Sequence, residues 1–247
     1  MPAVQVYTND FRGGNLVPSL DANSWGSMKL GNSGPAANPT STGQPQGLAL
    51  SVTGGGSSPA AIGAYVVLGD GVLSLESRLL MTVEFDQPNA VPPPPPGTGR
   101  PEPWAIALNV KFRDENFVPN EPMVPVTCQF TSLQGVDVLR LNTPGNQEGD
   151  QAAALISPID YSQLSPGRFV LEHHFCGVKA AGRYSIGYGS LSIGPPISTT
   201  DQRVYSNLGL SGGQQSWIGA LGVTLVTLDG VGQIMVRLRG FSISTWS

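Results

Sequence analysis

The sequence predicts an all-β fold, a two-sheet antiparallel β-sandwich in which residues 1–247 form a single domain. Three observations carry that expectation. Apolar and polar residues alternate with period two through several segments, clusters of Gly, Pro, Asn and Asp punctuate them, and no apolar stripe at helical spacing outlasts a turn or two. Sandwiches and barrels reach roughly 200–250 residues as one unit, so 247 residues demand no second domain. Hydrophobic residues make up 40% of the chain, enough to fill a core, so the 32 Gly and 22 Pro read as turns rather than disorder.

Taken in order, the first strands are Val4–Tyr7, Met28–Leu30 and Leu48–Val52, with a long Asn-, Ser-, Pro- and Thr-rich loop over Gly31–Gly47. Ala61–Leu68 and Val72–Phe85 follow. In the latter, Leu73, Leu75, Leu79, Met81, Val83 and Phe85 oppose Ser74, Glu76, Arg78, Thr82 and Glu84, with Ser77 and Leu80 breaking the pattern. The prolines of Pro92–Pro96, with Pro101 and Pro103, lack the N–H that a ladder needs. Residues of about 91–103 therefore read as a stiff polyproline surface crossover. A docking ligand for an aromatic groove, or an interdomain linker, are the alternatives for this segment.

Trp104–Phe112 sets Trp104, Ile106, Leu108, Val110 and Phe112 against Ala105, Ala107, Asn109, Lys111 and, just beyond, Arg113. Val124–Phe130 and Val136–Leu141 come next. In Arg168–Phe175 the odd positions hold Phe, Leu, His and Phe, while Glu172 and His174 share the other face. Ser185–Ile193 is a further strand, and Trp217–Asp229 and Gly232–Ser244 close the chain as a hairpin through Asp229-Gly230. Each alternating strand is expected to have one core face and one wet face.

Charge and composition narrow the function. Net charge is −4 and the 13 basic residues are scattered, which excludes the basic footprint of a nucleic-acid binder. The apolar run Ile218–Leu228 is too short and too interrupted to span a bilayer, and no basic, then apolar, leader follows Met1. No nucleic acid and no membrane are expected as partners. Cys128 and Cys176 read as two free thiols or one bridge, and with His173 and His174 they form no zinc spacing. Gly54-Gly55-Gly56 follows no strand-to-helix pattern, and no Gly-x-Ser-x-Gly elbow occurs. Neither a metal nor a cofactor is expected.

Asp10-Phe11, Leu16, Trp25 and Gly47-Leu48-Ala49-Leu50 resemble the first strands of the concanavalin A-like lectin/glucanase superfamily. Phe169–Phe175, Tyr188–Ile193 and the closing Val236–Ile243 run resemble its later strands. The resemblance covers most of the chain in strand order and residue texture, without a diagnostic motif. It implies a jelly roll with a curved sheet whose concave face often holds saccharides. Retaining glucanases of that superfamily carry Glu-x-Asp-x-x-Glu; here Glu84-Phe85-Asp86-Gln87-Pro88-Asn89 puts Asn89 where the acid/base belongs. The alginate-lyase-like element is approached by Val178–Tyr184, shifted by one residue, and the partner strands of that site are missing.

The polar alternates gather into one candidate ligand-binding set, Glu76, Arg78, Asn109, Lys111, Arg113, Glu172 and His174, which Arg140, Arg237 and Arg239 join if their strands share the sheet. Carboxylates, amides and guanidinium forks suit sugar hydroxyls or uronate carboxylates, with Trp25, Trp104 and Trp217 as stacking surfaces. An ordinary solvated sheet face presents the same residues. Three functions follow. The first is a non-catalytic, lectin-like carbohydrate-binding sandwich whose partner is an oligo- or polysaccharide. The second is a coat- or fibre-like assembly protein that associates with itself. The third is a polysaccharide lyase or hydrolase with an unfamiliar site.

Overall fold

The structure, a computed structural model, bears out the all-β expectation: the described residues are almost entirely strand. The first strands are β1 (Val4–Asn9), β2 (Leu20–Asp21), β3 (Lys29–Ser33), β4 (Ala37–Thr40), β5 (Leu48–Gly54) and β6 (Ala60–Val67). The middle of the chain supplies β7 (Arg78–Asp86), β8 (Asn89–Val91), β9 (Trp104–Phe112), β10 (Val126–Leu133), β11 (Val136–Asn142) and β12 (Arg168–Cys176). The last are β13 (Tyr184–Ile186), β14 (Gly189–Ser192), β15 (Pro196–Ser198), β16 (Arg203–Tyr205), β17 (Ile218–Thr227) and β18 (Gly232–Trp246). Besides these strands the structure describes residues 10–16, 28, 47, 68–69, 72–73 and 77, of which Arg12–Gly14 form a 3-10 turn.

Two antiparallel sheets stack. Among the described residues the larger has ten strands, running β15-β14-β12-β7-β18-β1-β2, with β5 and β8 attached along the first half of β18 and β4 beyond β5. The smaller has six, in the order β11-β10-β9-β17-β6-β3, while β13 and β16 pair apart from both. Leu79, Met81, Val83 and Phe85 of β7 and Phe169, Leu171 and Phe175 of β12 meet Ile106, Leu108 and Val110 of β9 and Leu221, Val223 and Leu225 of β17 in one apolar core. The Phe85 and Phe169 rings stack at 5.4 Å. Burying a side chain of this size contributes about 1.5–3 kcal/mol, so this intersheet layer dominates the stability of the sandwich.

In β7 of the larger sheet the alternation read from sequence holds, every second side chain being buried and the others partly open, whereas β5 is buried on both sides from Leu48 to Val52. The smaller sheet departs from it. Ala105, Ala107, Asn109 and Lys111, expected on a wet face, are as buried as the core side of β9, and β17 and β6 are likewise buried on both sides from Ile218 to Leu225 and from Ala60 to Val66. Small side chains make the second face flat. Tyr65 lies across it, packed against Gly63 and its cross-strand partner Gly222, where a Cβ would come within 2.6 Å and 2.5 Å of the ring. An aromatic laid over strand glycines restores the burial that glycine lacks. Three polar side chains link up there: the Tyr65 hydroxyl sits 2.6 Å from Thr224 Oγ1, to which Asn109 Nδ2 donates at 2.5 Å. Lys111 Nζ lies 5.2 Å from the Tyr65 ring centroid, a cation–π contact.

Other sequence expectations shift at element ends. The Gly31–Gly47 loop contains β4, an edge strand whose Pro39 needs no ladder donor on its open side. Ser185–Ile193 is two strands rather than one, because β13 leaves to pair with β16 while β14 joins the large sheet. Most of the proline-rich crossover, Trp25 and Trp217, and the side chains of Trp104, Cys128 and Cys176 lie outside the described residues.

His173 occupies a core position between Leu171 and Phe175 and is fully buried, its ring edge-on to Phe175 at 6.4 Å. Neither ring nitrogen has a hydrogen-bond partner among the described residues. Burial, reinforced by neighbouring His174, pushes its pKa down to about 3, so it is a neutral, apolar-packed imidazole.

Candidate functional site

The structure divides the seven-residue set. Arg78, Glu172 and His174 lie on the outer face of the large sheet, on the adjacent strands β7 and β12. Arg237 and Arg239 share that sheet through β18. Asn109 and Lys111 belong to β9 of the other sheet, as Arg140 does through β11, so they do not join the first group. Glu76 and Arg113 lie outside the described residues.

Register sets up rows of side chains across the outer face. Glu172, Thr82, Ser242 and Thr8 form one row over β12, β7, β18 and β1, and each is half-buried. His174, Leu80 and Ser244 form the next, and Arg78 opposite Trp246 forms a third. His174 and Trp246 meet diagonally, with ring centroids 6.4 Å apart and planes 24° from parallel. Partial burial lowers the His174 pKa against the opposing pull of the Glu172 carboxylate. An imidazole beside an indole makes a flat plate, bordered by the Glu172 carboxylate and the hydroxyls of Thr82, Ser242 and Ser244.

At the other end of β7, Arg239 donates from Nε to Asp86 Oδ1 at 2.9 Å and from Nη2 to Oδ2 at 2.8 Å. This fork-to-carboxylate pairing holds the guanidinium more firmly protonated. It also engages the second acid of the Glu84-Phe85-Asp86 run, which otherwise resembles part of a glucanase site. A register shift between Leu238 and Gly240 places Arg239 there. Ile234, Val236 and Leu238 are buried before the shift, and Phe241 and Ile243 after it. The irregularity lets one strand keep its apolar side inward across an odd spacing while turning both arginines out.

Sequence reasoning missed Trp246, Thr82, Ser242 and Ser244 as site residues. It ended the last strand at Ser244, although the strand continues through Trp246. Among the described residues no group of three or more His, Cys, Asp or Glu side chains converges as a metal site, and no helix is long and apolar enough to cross a membrane.

No protein-family model matches the sequence, and none of the curated proteins does. Among solved structures the chain is similar to a lectin from Bauhinia forficata in complex with GalNAc, at 9% identity and a TM-score of 0.48, covering 100% of this chain and 99% of that one. It is similar to peanut lectin at 10% identity and a TM-score of 0.48, covering 100% and 98%. It is also similar to the CBM2 module of an evolved Dit of Lactobacillus casei BL23 phage J-1, at 10% identity and a TM-score of 0.48, covering 98% and 95%. The likeness is one of fold.

Proposed function

We propose that this chain is a non-catalytic, lectin-like carbohydrate-binding sandwich that holds an oligo- or polysaccharide on the outer face of its large sheet. The carrying observation is a contrast between the central strands of the two sheets. Described side chains of β6, β9 and β17 are buried on both faces, whereas β7, β12 and β18 keep a half-open polar face built around the His174–Trp246 plate. Pyranose rings present an apolar C–H face and a rim of hydroxyls. A flat aromatic plate takes the former, and carboxylates and hydroxyls at strand spacing take the latter. The Arg239 fork on Asp86 supports a binding rather than hydrolytic role, because a carboxylate so engaged is a poor nucleophile.

Retention on a panel of immobilised polysaccharides tests the reading. We expect retention by wild type and an affinity at least about tenfold weaker for Trp246→Ala, equivalent to about 1.4 kcal/mol. Absence of retention on every neutral and acidic polysaccharide overturns it.

A further inference from the structure

We infer that Arg237, set beside the Asp86–Arg239 pair, is an oxyanion subsite of the saccharide face, so that the preferred ligand is an acidic saccharide held by its carboxylate or sulfate. The inference rests on the saccharide reading above and specifies the ligand class.

Asp86 offers two carboxylate oxygens, and the Arg239 fork takes both. Arg237 Nη1 reaches only to 4.0 Å from Asp86 Oδ2, beyond hydrogen-bond range, and its Nε has no partner among the described residues. A guanidinium carries five N–H donors in a fixed fork suited to a planar oxyanion. Arg237 is therefore placed by the pair without being saturated by it.

Its position is also built. Gly47, with φ of 140°, lies under the arginine stem; a Cβ there would fall 2.8 Å from Arg237 Cγ and 2.6 Å from the Leu238 carbonyl oxygen. Glycine at this point lets the stem lie flat while the side chain as a whole stays a third exposed. Arg168 occupies the register position across from Asp86 on β12. Two arginine side chains thus stand by Asp86, in a chain whose 13 basic residues are outnumbered by 17 acidic ones. An overall negative protein repels polyanions, so affinity for one requires a local arrangement of this kind.

Binding of oligogalacturonate and oligomannuronate is compared with that of their carboxyl-reduced counterparts, and sulfated dextran with plain dextran. Wild type is expected to prefer at least one charged form about tenfold or more. In Arg237→Gln that ratio falls towards one. Lys29→Gln, which removes an exposed charge from the other sheet, leaves it unchanged. The arm that shows the preference identifies the oxyanion as carboxylate or sulfate. Equal binding of charged and uncharged forms by wild type, or a preference that survives Arg237→Gln, overturns the subsite and leaves the saccharide reading standing. Failure of every form to bind removes both. Matching thermal melts of wild type and Arg237→Gln exclude misfolding as the cause.

Discussion

The protein is expected to lose on the order of 4–5 kcal/mol of folding stability between pH 6.5 and pH 3 through His173 alone. The sign follows from where the proton can go. In the unfolded chain the imidazole titrates near 6.5, whereas in the folded protein it resists protonation until about pH 3. Between those values only the unfolded state binds the proton, so stability is intact above the window, falls through it as pH drops, and levels off below. The cause is packing: Leu171 and Phe175 flank the ring on β12, and its register partner on β7 is Met81, none of which ionises. Denaturant titrations at pH 7, 5 and 4 on wild type and His173→Leu check this. The stability difference should shift in favour of the variant as pH falls, since leucine keeps the apolar volume and carries no titration. Parallel pH curves for the two proteins would refute it.

The second large effect is expected at Gly222. Its Cβ, if present, would press into the Ala64 carbonyl oxygen and lie 2.5 Å from Tyr65 Cδ1. Both groups are fixed, one by the β17–β6 ladder and the other by the hydroxyl contact with Thr224. Gly222→Ala should therefore cost about 3 kcal/mol, the upper end for overpacking. Gly69→Ala, whose Cβ would meet only Val72 at 3.7 Å, should cost far less. Equilibrium unfolding of the two variants provides the comparison, and a silent Gly222→Ala would show that the Tyr65 layer is not packed as described.

Alternation made β7, β9 and β12 legible from sequence, because Leu79 to Phe85, Ile106 to Val110 and Phe169 to Phe175 advertise a buried side at every second residue. Which sheet each strand joins was not legible. Period two assigns a residue to a face but says nothing of strand order, so Asn109 and Lys111 were grouped with Glu172 and His174, although β9 lies in the opposite layer. The burial of Lys111 and Asn109 was hidden for a related reason. Tyr65, Gly63, Gly222 and Thr224 come from two other strands, and only their pairing with β9 assembles the polar layer. The Arg239 bulge is the third case. Its signature is the odd spacing between Leu238 and Phe241, visible in sequence only once both are known to point inward.

Hydroxyl-radical footprinting, with and without the tightest-binding saccharide from the panel, tests the central claim most directly. Saccharide on the outer face of the large sheet must shield Trp246 and His174 from oxidation while leaving exposed Val72 as reactive as before. Full reactivity of Trp246 and His174 in the saturated complex would contradict it.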